Sequence, residues 1–319
     1  MTTEKRAKTD RPSWFARFWT IVRYEMLWNI RKKKFIFVII IAFVIATVVL
    51  LAPIIASRST GVPITANPNY AITFGGSSFV FFLFAIGTAM NSITSEFESG
   101  TIVPLVTKPV SRTMIFLGKL FGAFIVILAS YVILYAYVTV ASVIVYGPQN
   151  NLQYMPLILV GGIISTFIWV SLLFAMGSIT KNTIVTVLVA FSLFLALFLA
   201  IPIVSVFSGP SQTLNYFPGN GASGTILIGR NFTSVGAGTD NIGIDLVNYA
   251  LYPSANVSFY KINVTAITAG GTSLPTSGVL WYSEPTSLIA SRAIGIACVY
   301  IAVFMSIGWY AFKRSQILE

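Results

Sequence analysis

Arg31-Lys32-Lys33-Lys34 runs directly into Phe35-Ile36-Phe37-Val38-Ile39-Ile40-Ile41-Ala42-Phe43-Val44-Ile45-Ala46-Thr47-Val48-Val49-Leu50-Leu51-Ala52. Four cations mark a boundary with water, and the uncharged run continues to Ala56. About 20 such residues cross a hydrocarbon layer as a helix. Five more runs of this kind follow: Tyr70–Met90, Met114–Tyr146, Met155–Thr180, Ile184–Phe207 and Ser287–Phe312. The composition agrees, with 56% hydrophobic and 9% charged residues where soluble domains carry about 25% charged. The expected fold is therefore an all-α polytopic membrane protein of six transmembrane helices. The first apolar run lies too far into the chain for a cleavable signal peptide.

Orientation follows from the cations. Ten of the twenty Lys and Arg residues lie in the first 34 positions. With the N-terminus inside, Lys108, Arg112, Lys119, Lys181, Lys313 and Arg314 join them, against Arg58, Arg230 and Lys261 outside. The positive-inside bias then places both termini in the cytoplasm, and a multi-pass protein of the plasma membrane is expected. It also accounts for the net charge of +11 without nucleic acid. Residues 1–34 read as a cytoplasmic tail and an amphipathic interfacial helix. Trp14, Phe15, Phe18, Trp19, Val22, Met26 and Ile30 share one face, with Arg17 opposite and Arg23 nearby in the chain. Tryptophan and arginine suit the edge of a bilayer, although Glu25 and Asn29 intrude on the apolar side. A helix packed on a soluble partner is the alternative.

Residues 208–285 differ in composition, being rich in Gly, Ser, Thr and Asn. Val257–Thr265 has strand character. A connection this long predicts a small β-containing extracellular domain between helices 5 and 6. All three Asn-x-Ser/Thr sequons, at Asn231, Asn256 and Asn263, fall within it, and they predict a glycoprotein.

The absences narrow the function. The chain has no His, and Cys298 is its one Cys, read as a small buried apolar residue. Thiol or imidazole metal sites and disulfides are thus excluded, and no metal is expected. Within the six runs there is no Asp or Glu, and Lys119 and Arg292 lie near ends where they can snorkel. Coupling to protons or sodium lacks its usual partners, and rings of charge that would select ions in a channel are missing. No G-x-x-x-x-G-K-[ST] phosphate loop occurs. If energy is used, it enters from another chain.

Its point of entry is suggested by the break after the second run, Ser95-Glu96-Phe97-Glu98-Ser99-Gly100-Thr101, leading to Lys108-Pro109-Val110-Ser111-Arg112 and Gly118-Lys119. Glu96 and Glu98 are the only acidic residues between Glu25 and Asp240. Two residues apart, they cannot share a helical face. Pro109 ends any preceding helix, and Ser111 is placed to cap the next. A solvated connector would explain the charge alone.

These motifs, with the entry helix, six runs and late outer insertion, resemble the permease subunit of ABC type-2 exporters. The resemblance implies two permease copies, or one with a homologous permease, and two copies of a separate ABC ATPase. ATP and Mg would be bound by that partner, and this chain would hold no cofactor and be no enzyme. It also implies that Glu96, Glu98, Gly100 and Thr101 couple to the ATPase through loop 91–113, with Pro109, Ser111, Arg112 and, beyond the loop, Lys119 shaping the return to the membrane. The remaining divisions would be helices 1–5 over 35–207, the outer domain over 208–285, and the last helix and tail over 286–319. An uncharged pathway would suit export of an apolar or amphipathic substrate: a drug-like compound, lipid or peptide. Small-residue clusters at Gly75–Ser78 and Gly161-Gly162 fit close helix packing better than a pathway. The competing reading is a non-transporting anchor or assembly platform whose outer domain binds a surface partner.

Overall fold

The computed structural model describes residues 13–31, 33–60, 68–74, 78–100, 111–219, 221–228, 231–261 and 279–315. Its helices are α1 (Trp14–Arg31), α2 (Lys33–Thr60), α3 (Tyr70–Thr73), α4 (Ser78–Ala89), α5 (Thr94–Glu98), α6 (Arg112–Tyr146), α7 (Met155–Thr180), α8 (Thr183–Ser208), α9 (Ile242–Leu251) and α10 (Thr286–Arg314). Four strands complete it: β1 (Ala222–Ile228), β2 (Asn231–Ala237), β3 (Asn256–Lys261) and β4 (Val279–Pro285). Among the described residues, six helical stretches are long and apolar enough to cross a membrane: Phe35–Ser59, Ser78–Glu98, Arg112–Tyr146, Leu152–Thr180, Thr183–Ser205 and Thr286–Arg314.

The second stretch departs from the hydropathy reading. Instead of one helix from Tyr70 to Met90, a single turn (α3) precedes α4, and the crossing continues through a turn into α5. Glu96 and Glu98 therefore stand on the short helix α5, at the end of a stretch long and apolar enough to cross a membrane. The acid-free spans of the sequence reading follow only from boundaries drawn by hydropathy, which stop short of both residues.

Helix α7 is the central column, with about three quarters of its core stretch (72%) buried. Trp169 is fully buried there and meets Phe82 of α4 and Phe194 of α8 edge-on. Helix α6 is the longest, at 35 residues, or about 52 Å at 1.5 Å per residue. It exceeds the roughly 30 Å hydrocarbon layer and serves two partners in turn. Toward its start it packs on α1, where Ile21 faces Gly118 and Glu25 faces Gly122. Toward its end it packs on α2, where Thr47 Oγ1 lies 2.6 Å from the Tyr137 hydroxyl and Tyr146 donates to the Leu50 carbonyl at 2.6 Å. Numbers rise together on both sides, so α1 and α2 both run parallel to α6.

The segment after α8 forms an antiparallel sheet of order β2-β1-β3-β4. The predicted strand is present as β3, and residues 262–265 lie outside the described residues. Ile226, Val235, Val257, Phe259 and Ile289 make a separate small core beneath the sheet. Helix α9, which the sequence reading lacks, lies chiefly on α7 while also touching β2. A Cβ on Gly161 would stand only 2.0 Å from the Gly243 nitrogen, so this contact requires glycine. Ser165 donates to the Thr239 carbonyl at 2.6 Å beside it. Cys298, expected to be buried, is exposed on α10, where lipid can cover it. Arg292 does not snorkel alone but pairs with Glu284 at 2.9 Å.

Candidate functional site

Five helices meet at the short stretch Ser92–Glu98, at the end of the bundle that also holds the start of α1 and the end of α10. Its centre is a buried ion triad. Lys119 Nζ of α6 lies 3.0 Å from Glu25 Oε2 of α1 and 2.7 Å from Glu96 Oε1 of α5. Ser92 donates its hydroxyl to Glu25 Oε1 at 2.6 Å. The Lys119 and Glu25 side chains are only 3% and 2% exposed. Two carboxylates around one ammonium leave a net negative charge, and removing three charges from water costs several kcal/mol per ion before their attraction returns it. Such an arrangement fixes geometry more than it adds stability.

Local sequence explains why the triad forms. Gly118 and Gly122 lie one helical turn apart and let α1 approach α6 closely. A Cβ at Gly118 would meet Ile21 at 2.7 Å, and one at Gly122 would meet Glu25 at 2.9 Å. Small residues at this spacing are a general device for helix contact in membranes. Glu25 and Asn29, which appear to spoil the apolar face of α1, are instead its buried residues together with Val22. The Asn29 amide has neither of its polar atoms paired among the described residues. Lys119 is thus held in a packed junction, not snorkelling at a membrane edge.

Glu98 works on a different helix. Its carboxylate accepts from the Thr183 N–H at 2.6 Å and the Thr183 hydroxyl at 2.9 Å. An anion at the start of α8 complements the helix dipole. Asn182 supplies the side-chain cap, accepting from the Val185 N–H at 3.0 Å. Thr94 Oγ1 lies 2.6 Å from Thr183 Oγ1, and Gly177 of α7 lets Thr94 close in. Between the two acids, Phe97 turns to α10 and meets Phe312 edge-on at 6.2 Å. Phe116 of α6 touches both Phe312 and Phe174 of α7.

The other predicted coupling residues divide. Gly100 has φ +69°, a left-handed turn that favours glycine. Ser111 caps α6, accepting from the Met114 N–H at 3.2 Å. Arg112 donates to the carbonyls of Lys313 and Ser315 at 2.8 and 3.0 Å, closing the end of α10. Thr101 and Pro109 lie outside the described residues. On α1, Trp14 stacks on Phe18 and Phe15 on Trp19. Phe18 also meets Phe121 of α6 at 6.0 Å, while Trp14 and Trp19 stay exposed and Arg17 and Arg23 lie on the same helix. Of the sequons, Asn256 is exposed at the start of β3, Asn231 opens β2, and Asn263 lies outside the described residues.

Sequence reasoning missed Glu25, Ser92, Phe97 and Thr183 as parts of this junction. The signal for Glu25 was present as an acid on an otherwise apolar helical face. Thr183 carried none.

At the opposite end a second polar joint forms where α9 meets the bundle. Asp240 is buried, and its carboxylate accepts from the Gly219 N–H at 3.0 Å. Burial pushes it from 3.8 up to about 6, against the opposing pull of Ser78 and Gly219. Asp245, accepting from the Gly238 N–H at 3.1 Å, is also raised, by the same cause.

Compared with known proteins, residues 19–317 match the family model described as ABC-2 family transporter protein. The curated proteins contain no significant match.

Proposed function

The chain belongs to the ABC-2 transporter family, a family of membrane permease components distinct from the ATPase, and on that premise we propose that it is the permease subunit of an ATP-driven exporter. ATP and Mg are handled by a separate ATPase chain, with two copies of each chain in the assembly. Both termini face the cytoplasm at the plasma membrane, the exposed tryptophans of α1 rest at the inner bilayer edge, and the sheet is extracellular and carries the glycans. The cargo is apolar or amphipathic and moves outward.

The supporting observation is the convergence on Ser92–Glu98. Through this stretch α1 and α6 are joined by the ion triad, α8 by Glu98 and α10 by Phe97. A push on it is therefore shared among helices instead of bending one of them. An ATP-driven partner works by favouring one of two permease arrangements, and a shared node transmits that preference. Glu98→Ala should leave the triad intact and loosen α8. The expected result is retained co-purification with the ATPase, ATP hydrolysis that no longer responds to candidate substrates, and lost export in proteoliposomes. Purification of the native chain with no ATPase attached, or undiminished export by the variant, counts against the proposal.

A further inference from the structure

The outer edge of the sheet carries an apolar cluster that neither the transport cycle nor the sheet core uses. Val279, Leu280 and Trp281 are consecutive on β4 and 69%, 54% and 50% exposed. Side chains on a regular strand alternate between faces, but here the pairing is broken. Phe259 pairs with Tyr282 and Tyr260 with Leu280, which leaves Trp281 as the extra residue of a bulge. A bulge re-aims side chains, so Leu280 and Trp281 need not point to opposite faces.

Where this cluster sits is fixed by its neighbour. The Trp281 ring lies against Gly209, whose added Cβ would stand 3.1 Å from it. Gly209 directly follows α8 and turns the chain with φ +88°. Helix α8 has 26 residues, a rise of about 39 Å against a hydrocarbon layer of roughly 30 Å. Its last turn therefore reaches the headgroup zone, and Phe207 there is 77% exposed. Lys261 places its ammonium 5.2 Å from the centre of the Trp281 ring. Tryptophan beside a cation is the pairing that membrane interfaces favour.

We propose that the β4 edge is a membrane-contact surface, with Leu280 and Trp281 resting in the glycerol zone of the leaflet around the end of α8 and Lys261 facing lipid phosphate. The backbone limits the depth. Among the described residues β4 is the last strand of its sheet, and backbone groups there that no strand pairs need hydrogen-bonding partners that headgroup water supplies and hydrocarbon does not. A second copy of the chain is a poorer occupant, because a two-fold contact through this cluster would bring two Lys261 ammonium groups together.

The test uses the full chain in nanodiscs of phosphatidylcholine and phosphatidylglycerol. Cys298→Ala removes the native thiol, and a nitroxide is attached at Leu280→Cys. Reference labels go at Ser254→Cys, exposed in the turn before β3, and at Val299→Cys, exposed on α10. The expected reading at position 280 is several-fold less collision with a water-soluble nickel chelate than at 254, with oxygen collision approaching that at 299. Nickel collision equal to that at 254 would place the edge in water and overturn the proposal. Low collision with both reagents together with dipolar broadening would mean a second copy covers it, and also overturns it. Val279→Cys repeats the measurement if the Leu280 label disturbs the strand.

Discussion

Lys119 is a residue whose removal should cost more than its presence contributes. Lys119→Met leaves Glu25 and Glu96 buried without their cation, and breaking a buried pair in this way costs about 3–5 kcal/mol. Combining it with Glu25→Gln and Glu96→Gln removes the charges along with their cation and should recover most of that loss. Thermal melting of the detergent-purified variants checks both statements. Asp240 makes the opposite case, a carboxylate that stability would prefer protonated. The folded chain holds this proton more tightly than the unfolded one, since burial moves it from 3.8 to about 6. Its contribution is therefore complete below pH 3.8, declines as pH rises to about 6, and stays lost above. The loss is on the order of 3 kcal/mol. Asp240→Asn keeps an oxygen for the Gly219 N–H, so its melting temperature should exceed that of the parent chain at pH 7.5 and the gap should close near pH 4.

At the scale of elements, the contact between α1 and α6 rests on two glycines. Gly122→Leu would drive a side chain into Glu25 and part the helices, because even a Cβ there comes within 2.9 Å of it. We expect loss of the triad, about 1–3 kcal/mol of destabilisation from overpacking, and weaker association with an ATPase. Gly100→Ala is the milder control: nothing lies within 4 Å of its added Cβ, and only the left-handed turn opposes it. The same elements show what sequence could tell. The membrane helices were legible because hydrocarbon imposes a length and an apolar composition on each. Their ends were not, since polar residues such as Glu96 and Glu98 are admitted wherever a neighbouring helix satisfies them. The entry helix was legible as a helix, but the face it buries against protein was not. Apolar periodicity finds the face that avoids water, and in a membrane protein that face can meet lipid, while Glu25 and Asn29 turn to protein. Helix α9 was hidden in a Gly- and Ser-rich stretch whose overall composition reads as loop and strand.

For the whole molecule, the two polar joints sit at opposite ends of α7 and differ in kind. The triad end binds helices to one another, whereas the Asp240 end binds a later segment back onto helices made earlier in the chain. That second joint sets an order of assembly. The notch at Gly161 and Ser165 is completed when α7 is made, yet what fills it, Thr239 and Gly243, is synthesised only after α8 has followed. Until then the small residues of α7 are an open seam that a chaperone, a lipid tail or a misplaced helix can occupy. A larger side chain at Gly161 should therefore disturb only the completed bundle, since the backbone it would strike, at Gly243, arrives with the later part of the chain.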